Sequence, residues 1–225
     1  MTEEIRPGLS DMIQSGAATL MPDILAAKAP DLTWADLSDE IEAEKAAILA
    51  DGRVPPSDPQ SQSLADLSAY MLAMYRILWQ RTGDRLGAID ICRHVATTAF
   101  KSGVMGHIER RFKIDLDQPE EAFERIAENF LQGGQEVFGE KFKYTQETLT
   151  DDFNSVMIQR CFFNDFLRGN QAPELIPVFC ACDNIWADEI NKEKYGVTFQ
   201  RPSLLSLGDD ACRFQFKRRE EGGKS

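Results

Sequence analysis

Four of the five cysteines fall after residue 160, at Cys161, Cys180, Cys182 and Cys212. A cysteine can be a small core hydrophobe, a zinc ligand, or a nucleophile once a nearby cation or helix N-terminus lowers its pKa. The core reading accounts well for Cys92 and Cys180. Structural zinc asks for paired knuckles, and only Cys180-Ala-Cys182 is tight, so zinc through Cys161, Cys182 and Cys212 is the less favoured alternative to no cofactor. Asp183 follows within Phe179-Cys-Ala-Cys-Asp-Asn-Ile-Trp186. A carboxylate among such bulk is partly desolvated, which lifts its pKa toward that of a general base. The alternative is that it faces solvent or caps a turn. Glu174, just after Pro173, reads on its own as a first-turn acid complementing a helix dipole. Of the two histidines, His94 reads as a helix-surface or packing residue, and His107 as a solvated helix start before Glu109-Arg-Arg-Phe-Lys113. No phosphate loop, GxGxxG, His-Glu-x-x-His or Gly-x-Ser-x-Gly is present, which removes several enzyme classes.

The elements that would hold these residues divide in two. Helical spacing runs through residues 10–28, with Pro22 inside it. A second helix starts at a Thr33–Asp36 cap and continues through Leu37, Ile41 and Ile48 to Asp51-Gly52. Val54-Pro-Pro-Ser-Asp-Pro-Gln-Ser-Gln62 reads as a linker or long surface loop. The best periodicity follows, with Leu64, Leu67, Met71, Leu72, Tyr75, Leu78 and Trp79 at i, i+3, i+4, i+7 up to Gly83. A helix capped by Asp84 comes next, then one opening at Asp117-Gln-Pro-Glu120 and closing at Gly133-Gly134. After about residue 150 the pattern changes. Strands are expected near 153–163, 196–207 and 210–217, with a helix over 173–190 between the first two. Cys212, Phe214 and Phe216 alternate with Arg213, Gln215 and Lys217, the mark of a half-buried strand. The expected fold class is therefore α+β, N-terminal helices packed on a small C-terminal antiparallel sheet. The expected divisions are an N-terminal helical extension with its Pro-rich loop over 1–62, an α+β domain over 63–217, and a disordered tail over 218–225.

The chain has 225 residues, 43% of them hydrophobic, which suffices for a real core. Its 37 acidic against 25 basic side chains give a net charge of −12. Such a surface repels phosphate backbones and anionic lipid, so nucleic acid and membrane are poor partners, and a small, cationic ligand suits it better. The acidic start, Met1-Thr-Glu-Glu-Ile, lacks a signal peptide's basic and apolar regions. With an odd number of cysteines, that points to a cytoplasmic protein. The first sixty residues either cap the core or dimerise, and a homodimer is the expected assembly.

Cys161-Phe-Phe-Asn-Asp-Phe166, Ala172-Pro-Glu-Leu175, Cys182-Asp183, Phe199-Gln-Arg-Pro202 and Gly208-Asp-Asp-Ala-Cys-Arg-Phe-Gln-Phe216, in that order, resemble the L-2-amino-thiazoline-4-carboxylic acid hydrolase family. The resemblance covers about residues 64–217. It implies a hydrolase that opens a ring C–N bond of a small cyclic amidine. Catalytic candidates carried over are Asp183, Cys161 and Glu174. Those for substrate binding are Arg201, as a fork for a substrate carboxylate, with Cys182, Trp186 and Cys212. Attack by carboxylate-activated water and attack by a thiolate both remain open. A non-catalytic small-molecule-binding or regulatory domain of the same build is the competing reading, and the Gly-x-x-x-Cys-x-Phe ending also resembles vinyl-reductase-like ligand-binding domains.

Overall fold

The computed structural model describes residues 9–219. Eight α-helices and one sheet of four strands make up the described residues. In chain order they are α1 (Leu9–Lys28), α2 (Trp34–Asp51), α3 (Pro59–Thr82), α4 (Arg85–Ser102), α5 (Val104–Phe112), α6 (Ala122–Phe138), β1 (Lys143–Leu149), β2 (Phe153–Arg160), α7 (Phe162–Gly169), α8 (Ile176–Ile190), β3 (Val197–Gln200) and β4 (Cys212–Arg218). The α+β architecture is the one the change of periodicity implies.

Helix α3 is the axis of the helical layer. Met71, Leu72, Ala73 and Met74 are four consecutive residues with no exposure, as on a helix surrounded on all sides. Its start is written in the chain, because Asp58 accepts from the Ser61 amide at 2.6 Å and Ser61 Oγ from the Asp58 amide at 3.0 Å. Pro59 fills the first helical position, where its missing N–H costs nothing. The segment 54–62 is therefore not all loop, since its second half is the first turn of α3. Ile13, Ala17, Met21 and Leu25 of α1 and Leu37, Ile41 and Ile48 of α2 join the same buried cluster as α3.

Two further expectations are corrected. Gly133-Gly134 does not end α6, which continues to Phe138. The helices stop there, and residues 143–149, read as part of the helical region, form β1. The sheet is antiparallel in the order β1-β2-β4-β3. The expected strand near 153–163 ends at Arg160, and Phe162 already belongs to α7. The one expected over 196–207 shrinks to Val197–Gln200, because Pro202 cannot donate to a ladder and a short 3₁₀ turn follows at Leu205–Leu207. In β4, Cys212, Phe214 and Phe216 are buried, as their alternation requires. Arg218 completes β4, and the Arg219 amide donates to Gly196 O at 2.7 Å, so neither is frayed. Residues 220–225 and the acidic start lie outside the described residues. No described helix is long and apolar enough to cross a membrane.

Candidate active site

Between the inner face of the sheet and α5, α6, α7 and α8 lies a cavity of about 70 Å³, with mostly apolar walls. Ile176, Phe179, Cys180 and Asp183 reach it from α8, the i, i+3, i+4, i+7 stripe of one helix face. Cys161 enters from the junction of β2 and α7, Cys212 and Phe214 from β4, and Arg201 from the segment after β3. The cavity thus gathers Cys161, Asp183, Arg201 and Cys212 of the expected site residues, with Cys180 beside them.

Asp183 is the only carboxylate on this wall. Its Oδ2 accepts from Arg201 Nη1 at 2.6 Å and its Oδ1 from Trp186 Nε1 at 3.0 Å. Its side chain is 29% exposed, and that of Arg201 10%. The other end of the Arg201 fork is committed too, Nη2 donating to Cys180 O and to Asn184 Oδ1, each at 3.1 Å. Arg201 thus braces Asp183 through Nη1 and helix α8 through Nη2. Trp186 is 1% exposed, packed between Phe199 and Phe112, and reaches the site through its indole N–H on Asp183 and its stacking on Phe214.

The thiols are held in the protonated form. Burial pushes that of Cys161 well up, against amides of α7 that favour the thiolate. Burial, then the neighbouring Asp183 charge, lift Cys180 to about 11. Cys212 is raised by burial, although the Leu205 amide donates to its sulfur at 3.3 Å. Cys182 lies two residues from Cys180, some 200° around the helix, so it leaves the cavity wall and contacts Val178 O of its own helix. The tight cysteine pair therefore cannot converge on one ion. No group of three or more His, Cys, Asp or Glu among the described residues is arranged to hold a metal.

Glu174 is placed elsewhere. Its Oε1 accepts from Tyr75 Oη and from Arg85 Nη2, both at 2.6 Å, and Arg85 Nε donates to Tyr75 Oη at 2.9 Å. Against a desolvation that would raise it, these hydrogen bonds hold the carboxyl below its usual range. The cluster pins the turn before α8 to α3 and α4 and does not line the cavity.

Sequence reasoning missed two residues. Arg111 (α5) and Tyr144 (β1) line the cavity, and both are buried. The glycine pair in α6 was their signal. A Cβ on Gly133 would stand 2.1 Å from Arg111 O, and one on Gly134 2.6 Å from the Tyr144 ring. Side chains at either position would push α5 or β1 away, so the pair exists to let both come close. His107 is also corrected. It sits within α5 between Phe100 and Phe112, ring centroids 5.1 and 6.2 Å away, with its Nε2 buried. Burial, then Arg111 and Arg110, push its pKa down to about 3. His94 is exposed, as expected. A larger groove of about 400 Å³ shares Arg111 and Phe138 with this cavity and is also lined by His107, but among the described residues its walls carry no acid and no cysteine.

Residues 68–216 match the family model described as L-2-amino-thiazoline-4-carboxylic acid hydrolase. The match runs from within α3 to Phe216 of β4, so it contains every residue of the cavity wall. No curated protein matches the chain.

Proposed function

Because the chain belongs to the L-2-amino-thiazoline-4-carboxylic acid hydrolase family, we propose that it hydrolyses a ring C–N bond of a small cyclic amidine in the cavity beside Asp183. The observation that carries this reading is Asp183 itself, a carboxylate on an apolar wall with each oxygen fixed by one donor and a second lone pair left on each. A fixed anion in such a place attracts an amidinium, and the net charge of −12 favours the same cation.

Water is the better nucleophile here, since burial raises the thiols of Cys161, Cys180 and Cys212 and so disfavours their thiolates. Water oxygen bonds to the amidine carbon while its proton passes to Asp183. Asp183 then returns that proton to the ring nitrogen as the ring C–N bond breaks, and the hydroxyl left on the carbon gives up its own proton to the freed amine, leaving a carbonyl and an ammonium group. Arg201 and Trp186 hold Asp183 in place and are positioning residues. Cys212 and Cys161 are walls, and Glu174 anchors the approach to α8.

The test is turnover of L-2-amino-thiazoline-4-carboxylate and related cyclic amidines by the purified chain. Asp183→Asn is expected to keep the fold and lower kcat by ~10² or more, the scale of a general base. Cys161→Ser should lose little, whereas a covalent thiolate route would nearly abolish activity. Undiminished turnover in Asp183→Asn removes Asp183 from the mechanism, and saturable binding without turnover makes the chain a ligand-binding member of the family.

A further inference from the structure

We infer that Arg111 and Tyr144 form an anion-holding end of the cavity, and that the ligand's carboxylate docks there and not at Arg201. The inference rests on the reading of this cavity as the substrate site, and it assigns the opposite end of the same ligand.

Arg111 is 2% exposed, and its guanidinium carries five N–H donors and no acceptor. Its Nε and Nη2 are fully buried, and no protein group among the described residues accepts from either. What surrounds the guanidinium is aromatic, the Phe130, Phe138 and Tyr144 rings lying 4.6, 5.0 and 5.9 Å away. Ring faces attract a cation but accept no hydrogen bond of ordinary strength, so two forked donors stay unmatched. The Tyr144 hydroxyl is likewise buried; the Arg111 guanidinium lies near enough to act on it, but no described group completes a hydrogen bond of ordinary geometry with it. Two side chains that line this cavity thus carry three buried polar atoms with no hydrogen-bond partner among the described residues, each at a cost that an acceptor would remove.

The shape of that acceptor follows from the donors. Two parallel N–H groups of a guanidinium match the two oxygens of a carboxylate, and a hydroxyl can add a third bond. Arg201 has less to offer, three of its N–H donors being taken by Asp183, Cys180 and Asn184. The cavity is therefore polarised, with a cation at Arg111 that no described carboxylate pairs and, at Asp183, a carboxylate already held by Arg201. A compact ligand bearing an anion and a cation a few atoms apart fits it. The glycines of α6 support this assignment, because both spend their missing side chains on bringing Arg111 and Tyr144 close to the same helix.

Propionate and its neutral isostere propionamide test the assignment without any catalytic step. With the full chain, titration calorimetry is expected to give propionate about tenfold tighter binding than propionamide, with a saturable rise in Tm. Arg111→Met should abolish the preference, and Tyr144→Phe should reduce it several-fold. Equal affinities for the two probes in the wild-type chain, or an intact preference in Arg111→Met, overturn the inference. The wild-type comparison stands even if Arg111→Met does not fold. A chain that prefers propionate but turns over no cyclic amidine keeps Arg111 as the anchor and loses the hydrolase reading. One that turns over amidines with no carboxylate preference does the opposite.

Discussion

Every cysteine thiol of this chain is raised by burial, Cys182 reaching about 12 and Cys180 about 11. Reactivity follows the thiolate, so iodoacetamide at pH 7.5 is expected to label the native chain far more slowly than the urea-unfolded chain at all five positions. Peptide mapping of alkylation rates checks this, and a fast site at Cys161 would revive the covalent route. His107 gives a second prediction. Above its ordinary value of 6.5 both folded and unfolded forms are neutral, and stability is unaffected. Below it the unfolded chain gains a proton that the folded one refuses, so stability falls as the pH drops from 6.5 toward 3. The urea midpoint should therefore drop less between pH 7 and pH 5 in His107→Gln than in the wild type. At this scale the site was half legible. Asp183 stands out because a charge inside Phe179–Trp186 interrupts an apolar run, and Arg201 because it precedes a proline in a recognisable motif. Arg111 does not, since Arg110-Arg-Phe-Lys reads as a solvated run, and only tertiary packing decides which of two adjacent arginines goes inside.

The elements that set the cavity depend on a few backbone contacts. In a helix interior Gly→Ala ordinarily stabilises by about 1 kcal/mol. Gly133→Ala is expected to invert that sign and cost about 1–3 kcal/mol, because the new methyl meets the backbone oxygen of Arg111, which cannot rotate away. Gly134→Ala meets the Tyr144 ring and should cost less stability but more ligand affinity. Chemical denaturation of both variants orders them. Asp58 joins two distant elements, capping α3 and accepting from the Glu140 amide at 2.7 Å beside the turn into β1. Asp58→Ala should cost ~1–2 kcal/mol, the upper part of the N-cap range. The caps and the long period of α3 were plain in the sequence, because capping and helical burial are local patterns. β1 was not. It is a sheet edge with Tyr144 as its one buried residue, so no two-residue alternation marks it, and its polar face is what keeps an edge from pairing with another chain.

On the scale of the whole molecule, the family match begins inside α3, yet α3 is covered by helices that precede the match. Leu37 and Ile41 of α2 and Ala17 and Met21 of α1 have no exposed area. A chain started at Pro59 would leave their partners on α3 and α4 bare, and it is expected to aggregate or to lose a cooperative thermal transition, which calorimetry detects. The order of strands has a consequence for synthesis. β4 lies between β2 and β3, and it is the last of the four to be made. When the ribosome has added Gln200, β2 has only β1 beside it and β3 has no neighbour at all. The helical layer can assemble during elongation from contacts close in sequence, whereas Phe214 and Phe216 must arrive before the aromatic cluster around Phe130 and Trp186 can close. A nascent chain paused before residue 212 would hold a docked helical bundle above an open sheet, and in that interval chaperones would have the apolar underside of α6 and α8 to bind.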